Sequence, residues 1–188
     1  MRTSDSEHPA EPDVGVGFAA GVSVERASKK AAVRRELEAA RGRYQQVLTS
    51  TSDEGWGAAT RNPKWTAGAI LAHIVLGMDT VPLRIKSARR GKSLMVMPVF
   101  AFNFINVMLS RRMAARYRQG TIGREFDAKY NTMIRLLDDV RDGEWEKVSH
   151  VYIQRQTIEE IFRSQASHIL GHLEEMTGPI GAPRERQL

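Results

Sequence analysis

The chain has 188 residues, 41% of them hydrophobic and 27% charged, the composition of an ordinary globular domain long enough to bury a sizeable core. It contains no cysteine, which excludes disulfides, thiolate metal sites and an intrinsic thiol nucleophile, so any sulfur chemistry needs an external thiol. The net charge of +6, from 28 basic and 22 acidic residues, comes without a helix-turn-helix, finger or ribonucleoprotein motif, and nucleic acid is not an expected partner.

Residues 1 to 22 mix Ser, Pro, Asp, Glu and Gly with few large apolar side chains and read as a tail that cannot bury enough surface to order itself. His8 lies there and is given no role. The Val14 to Val24 stretch has the length of a signal-peptide core, but it is Gly-rich and preceded by acids, so a cytoplasmic protein is expected rather than a secreted one. One domain is expected over 23–180, with a short tail at 181–188.

The body opens with ERASKKAAVRRELEAARGRYQQVL, in which Val33, Leu37, Ala40, Tyr44 and Val47 recur at alternating steps of four and three. That spacing predicts an amphipathic first helix with a charged outer face. Ser, Thr, Asp and Gly at 50–57 break it, and Asn62-Pro63 marks a turn. Helix two follows Trp65, with Thr66 as its N-cap and Ile70, Leu71, Ile74 and Met78 on its apolar side. Pro82 is expected to kink it or end its regular part.

His73 lies on this second helix. At about 100° per residue, Thr66, Ala69, Gly77 and Thr80 fall within about 40° of it, so its stripe is small and partly polar. Small neighbours leave room for an ion and a ligand; a core histidine hydrogen-bonded across the helices is the plainer reading.

Ile85 to Ser93 reads as a basic loop or helix end. Leu94 to Leu109 is the most hydrophobic stretch, yet at 16 residues, interrupted by Pro98, Asn103 and Asn106, it is too short and polar to span a membrane. A buried or re-entrant segment over one mouth of the fold is expected instead. Phe100, Phe102 and Phe104 are candidates for the wall of an apolar substrate pocket, with Trp65 beside them; plain core or a dimer contact is the alternative. The basic group Arg111 to Arg118 reads as a solvated helix face, and a membrane partner is not expected.

Helix three is predicted from about Arg124 to Val140, with Phe126, Tyr130, Met133, Leu137 and Val140 as its stripe and Asp142-Gly143 as its end. Alternation in VSHVYI hints at an extended piece, and His150 within it is given no role. Helix four runs from Thr157 to Pro179: Thr157 and Glu160 have capping-box spacing, and Gly178-Pro179 supply a stop. His168 and His172, four residues apart, project from one face and can reach a single metal ion. Two ligands do not hold a catalytic metal, and the pair alone leaves the third open. Ser164 and Gln165, one turn earlier, are candidates for orienting a ligand or substrate, or simply a polar patch.

Four amphipathic helices with little strand signal argue for an all-α antiparallel bundle. The run NPKWTAGAILAHI, followed about a hundred residues later by HILGHLEEM, resembles the DinB-like superfamily of metal-binding bundles over roughly residues 26–178. The resemblance implies an up-and-down four-helix bundle, here with an extra hydrophobic segment between helices two and three. It also implies a divalent metal on His73, His168 and His172, and suggests a homodimer. Three imidazoles leave at least one coordination position open, the pattern of a catalytic site. Zinc is the first expectation, with nickel, iron and manganese as further imidazole-binding metals.

Two functions follow. The first is a metal-dependent enzyme acting on a small, partly apolar molecule: a transferase using an external low-molecular-weight bacterial thiol, or a hydrolase. The alternative is a non-catalytic metal- or small-molecule-binding stress or interaction protein, with peripheral membrane association through residues 94–118 as a further possibility. No general base is evident, and the substrate is not legible.

Overall fold

Thr66 starts the helix that positions the site. Its backbone is extended and its side chain accepts the Ala69 N–H at 3.3 Å, which satisfies a donor that the first turn would leave open. The computed structural model describes residues 15–62, 65–92, 98–151 and 154–177. Its elements are α1 (Gly15–Ser50), α2 (Asp53–Trp56), α3 (Ala67–Gly77), α4 (Thr80–Arg90), α5 (Val99–Arg116), α6 (Gln119–Asp138), β1 (Val148–Val151), β2 (Gln154–Thr157) and α7 (Ile158–Thr177). A 3-10 turn, Asp142–Glu144, precedes β1. The fold is helical, with one small antiparallel hairpin in which Val148 pairs with Thr157 and Val151 with Gln154.

α1 packs on α6 and α7, α3 packs on α5, α6 and α7, and α4 packs on β1 and α7. The four predicted helices correspond to α1, α3 with α4, α6 and α7. Their stripes meet in one core: Val33, Leu37, Ala40, Tyr44 and Val47 of α1, Phe126, Tyr130, Met133 and Leu137 of α6, and Ile161, Phe162, Ile169 and Leu173 of α7 are all buried. Tyr44 stacks on Phe126 with centroids 3.8 Å apart, and its hydroxyl donates to the Leu71 carbonyl at 3.3 Å. Residues 67–90 are long and apolar enough to cross a membrane by length and composition; here most of them are buried against the neighbouring helices.

The break between α3 and α4 falls at Met78–Asp79, and Pro82 sits in the first turn of α4. A proline there has no N–H to give the Met78 carbonyl, which instead accepts from Val81 at 3.2 Å. α4 closes on Gly91, at φ 62°, the left-handed conformation that glycine adopts most easily. The capping box at α7 is present in both directions: Glu160 accepts the Thr157 N–H at 2.7 Å and Thr157 accepts the Glu160 N–H at 3.2 Å. The hairpin leads directly into this cap, and the Ile158 N–H donates to the Lys147 carbonyl at 3.1 Å.

A buried carboxylate fastens the α4 end of the molecule. Glu144 accepts from Arg89 Nε at 3.2 Å, Arg89 Nη2 at 3.0 Å and the Arg141 N–H at 3.2 Å. Desolvation pulls its pKa up, but the Arg141 N–H and the Arg89 guanidinium outweigh that and hold it below the usual carboxylate value.

Three expectations are revised. α1 begins at Gly15, inside the stretch read as a tail, because a helix already nucleated downstream extends at the cost of only one residue per hydrogen bond. The segment expected to be buried or re-entrant contributes to an 18-residue helix, α5, which also carries Arg111–Arg116. Part of its apolar side faces outward: Phe104 is 70% exposed, and Met108 and Leu109 are exposed too. Helix three starts at Gln119, five residues before the predicted Arg124, since Gly120 and Gly123 in its first turns obscured its start. The first fourteen residues, Pro63, the Gly178-Pro179 stop and the 181–188 tail lie outside the described residues.

Candidate metal centre

His73 stands at the end of the second turn of α3, and α7 crosses that helix with His168 and His172 facing it. The three side chains each offer one nitrogen, and these nitrogens all lie within 4.8 Å of one another. Nε2 of His73 and Nε2 of His168 are 3.3 Å apart. Two nitrogens bound to one tetrahedral zinc at about 2.0–2.1 Å would lie roughly 3.3–3.4 Å apart. The rings meet edge to face, with centroids 5.2 Å apart for His73 and His168 and 4.7 Å apart for the two pairs that include His172. In this arrangement the three imidazoles converge on one point rather than stack.

The sequence makes this convergence physically available. Gly77 lies one turn beyond His73, and a Cβ added there would come within 2.9 Å of His168 Cε1. Only glycine leaves the His168 ring its place. Trp65 packs against the other side of His73, with centroids 5.0 Å apart, and limits how far that ring can turn. The Glu175 carboxylate lies 3.6 Å from His172 Nδ1, one turn along α7.

Burial governs the charge state. The His73 imidazole is pushed down to about 3, first by desolvation and then by His172 and His168. His168 is pushed down to about 4 by desolvation, His172 and Arg84, with Glu175 acting in the opposite sense. Both rings are therefore neutral near pH 7, the state in which an imidazole nitrogen can donate its lone pair to a metal. Among the described residues, Nδ1 of His73 and Nδ1 of His168 are buried without a hydrogen-bond partner. Two neutral imidazoles with unpartnered ring nitrogens, joined by His172 within 4.8 Å, fit a divalent cation.

A recess of about 250 Å³ opens beside His73 and His168, with Thr80, Arg84, Gln156 and Gln165 among its walls. Gln165 is 5% exposed. Of the residues considered for a substrate pocket, Gln165 lines this recess. Trp65 touches His73 but faces a neighbouring hollow with Trp56 and Ala115. Phe104 is a correction: it points to solvent because the helix that carries it turns that face outward. The side chains of Phe100 and Phe102 lie outside those described. Ser164 also borders the recess, and its hydroxyl donates to the Ile161 carbonyl at 2.9 Å. His150 pairs within the hairpin and is not part of the cluster.

Arg84 and Gln156 were not singled out in the sequence. His73, Gly77, Thr80 and Arg84 follow steps of four, three and four, so the stripe of small residues around His73 continues across the Met78–Asp79 break to a cation. Extending that row would have found Arg84. Gln156 arrives from the hairpin, and no local periodicity announces it.

A helical fold with a partly buried cluster of three imidazoles at a helix crossing defines the class. The sequence model of the DinB superfamily matches residues 36–176, and the chain belongs to that superfamily. Among curated proteins and among solved structures nothing matches.

Proposed function

We propose that His73, His168 and His172 hold one divalent metal and that the protein is a metal-dependent enzyme acting on a small molecule. The observation that carries this reading is the meeting of three largely buried side-chain nitrogens within 4.8 Å. Membership of a superfamily that is often metal-binding supports it. When bound, such a metal supplies Lewis acidity, which favours the deprotonated form of a water or a thiol at neutral pH. With three protein ligands, one position stays open for that group.

This chain's own residues do the rest. His73 and His168 stay neutral because they are buried, so neither must lose a proton to bind. Trp65 and Gly77 fix the two rings in place. Gln165 and Thr80 present an amide and a hydroxyl to the recess beside them, where they can orient a substrate. The absence of cysteine is compatible with a transferase that uses an external low-molecular-weight thiol, and the open position suits a hydrolase equally. Zinc is the first choice, and the all-imidazole set also accepts nickel, iron or manganese.

The test is thermal unfolding with and without a chelator, followed by reconstitution with zinc or nickel. A metal clamped between α3 and α7 binds only the folded state, so the melting temperature is expected to fall on chelation and recover on metal addition. Identical melting curves would remove the metal reading.

A second reading, a non-catalytic interaction protein that self-associates, is favoured by one observation: the outward Phe104, Met108 and Leu109 of α5. Sedimentation of the wild type and Phe104→Glu tests it. A dimer that dissociates in the variant supports this reading, and a monomer in both cases sinks it.

A further inference from the structure

The recess beside the histidines carries more polar capacity than its walls satisfy. Arg84 Nε on α4, Gln156 Oε1 on β2 and Gln165 Nε2 on α7 are buried and have no hydrogen-bond partner among the described residues. Three elements thus bring two kinds of donor and one acceptor to the same 250 Å³ space. No acidic side chain is among its walls, and Arg84 makes no ion pair among the described residues. A guanidinium keeps its charge even where burial lowers its pKa, as it does here. A half-buried cation whose buried Nε faces a recess without a counter-charge is expected to be completed by an anion from outside the chain.

The donor set selects among anions. One planar guanidinium beside one side-chain amide matches the two in-plane oxygens of a carboxylate and a single negative charge. A phosphate dianion would call for a second cation, and none lines the space. The Gln156 carbonyl oxygen is an acceptor, so the same ligand should also bring a donor, such as a hydroxyl or an amine next to its carboxylate.

We infer that this recess recognises a small hydroxy- or amino-carboxylate, whose carboxylate is taken by Arg84 and the Gln165 amide while Gln156 accepts from its neighbouring donor. The inference deepens the enzymatic reading, because a molecule anchored there would present its other end to the histidine cluster. Anion binding itself does not depend on the metal.

The test uses the full-length protein, with and without a chelator, titrated with lactate, with lactamide as the neutral isostere and with inorganic phosphate, and followed by backbone amide shifts and calorimetry. Lactate is expected to bind at least about tenfold more tightly than lactamide or phosphate, and Arg84→Gln is expected to lose that preference. Gln165→Leu should weaken lactate by roughly three- to tenfold while leaving it above lactamide. Both variants should keep the wild-type metal content and a cooperative melt, which separates loss of recognition from loss of fold. Lactate and lactamide binding equally, phosphate binding more tightly than lactate, or undiminished lactate binding in Arg84→Gln would each overturn the inference. If lactate binds through Arg84 in a protein that takes up no metal, the recognition site stands and the metal reading alone falls.

Discussion

Nε2 of His73 and Nε2 of His168 face each other at 3.3 Å, though 95 residues of chain separate them. Neutral imidazoles without an ion could share one proton at that distance, whereas a metal between them would take both lone pairs.

Two glycines of α3 should respond oppositely to alanine. At Gly77 a Cβ would meet only the end of the His168 side chain, at 2.9 Å, and that ring can swing aside. Gly77→Ala is expected to keep the melting temperature of the metal-free protein within a few degrees while weakening metal binding about 10–100-fold, as measured by competition with a chromogenic chelator. At Gly68 a Cβ would fall 2.4 Å from the Trp56 ring, which is held by its N–H bond to the Ala114 carbonyl at 2.9 Å. Gly68→Ala should therefore cost about 1–3 kcal/mol of stability in denaturant melts. Equal effects at both positions would mean that the His168 ring is not the mobile partner.

The metal-free protein should lose stability in acid before its carboxylates titrate. In the unfolded chain each imidazole titrates near 6.5; in the folded one His73 and His168 do so only at about 3 and about 4. Between these values the unfolded state binds more protons, so stability falls as pH is lowered from 6.5. The expected loss between pH 6.5 and pH 5 is roughly 1.5–2 kcal/mol per histidine. Glu144 and Glu159, both held below their ordinary 4.5, add to the loss only at lower pH. Urea melts of chelator-treated wild type and a His73→Gln/His168→Gln variant check this, and the variant should show a flatter profile from 6.5 to 4.5. Parallel profiles would contradict the burial of these rings.

Breaking the Glu144 fastening should damage the fold and spare the site. Glu144→Gln removes the charge that meets Arg89 and weakens its hold on the Arg141 N–H. A loss of about 1–3 kcal/mol is expected in denaturant melts, with metal content unchanged. A metal-depleted variant would show that this end of α4 controls the cluster.

How much of this was legible in the sequence depended on whether a feature was local. Thr66, the Thr157–Glu160 box and the stripes of α1 and α6 are set by neighbours within one or two turns, and the structure contains them as read. His73 with Gly77 and Thr80 was visible as a row of small residues around one histidine. The row stopped short of Arg84 only because Pro82 suggested that the helix had ended. α5 was misread because its apolar content implied burial, but hydropathy does not say which side of a helix finds a partner, and Phe104 did not find one. Gln156 reaches the recess through hairpin pairing, a contact that depends on the tertiary fold.

The most direct measurement is the metal content of the purified, untagged protein after reconstitution, beside His73→Ala, His168→Ala and His172→Ala. About one divalent metal per wild-type chain, lost or sharply reduced in all three variants, is the predicted result. A wild type that takes up no metal, or a His73→Ala variant that retains a full complement, would contradict the three-histidine centre.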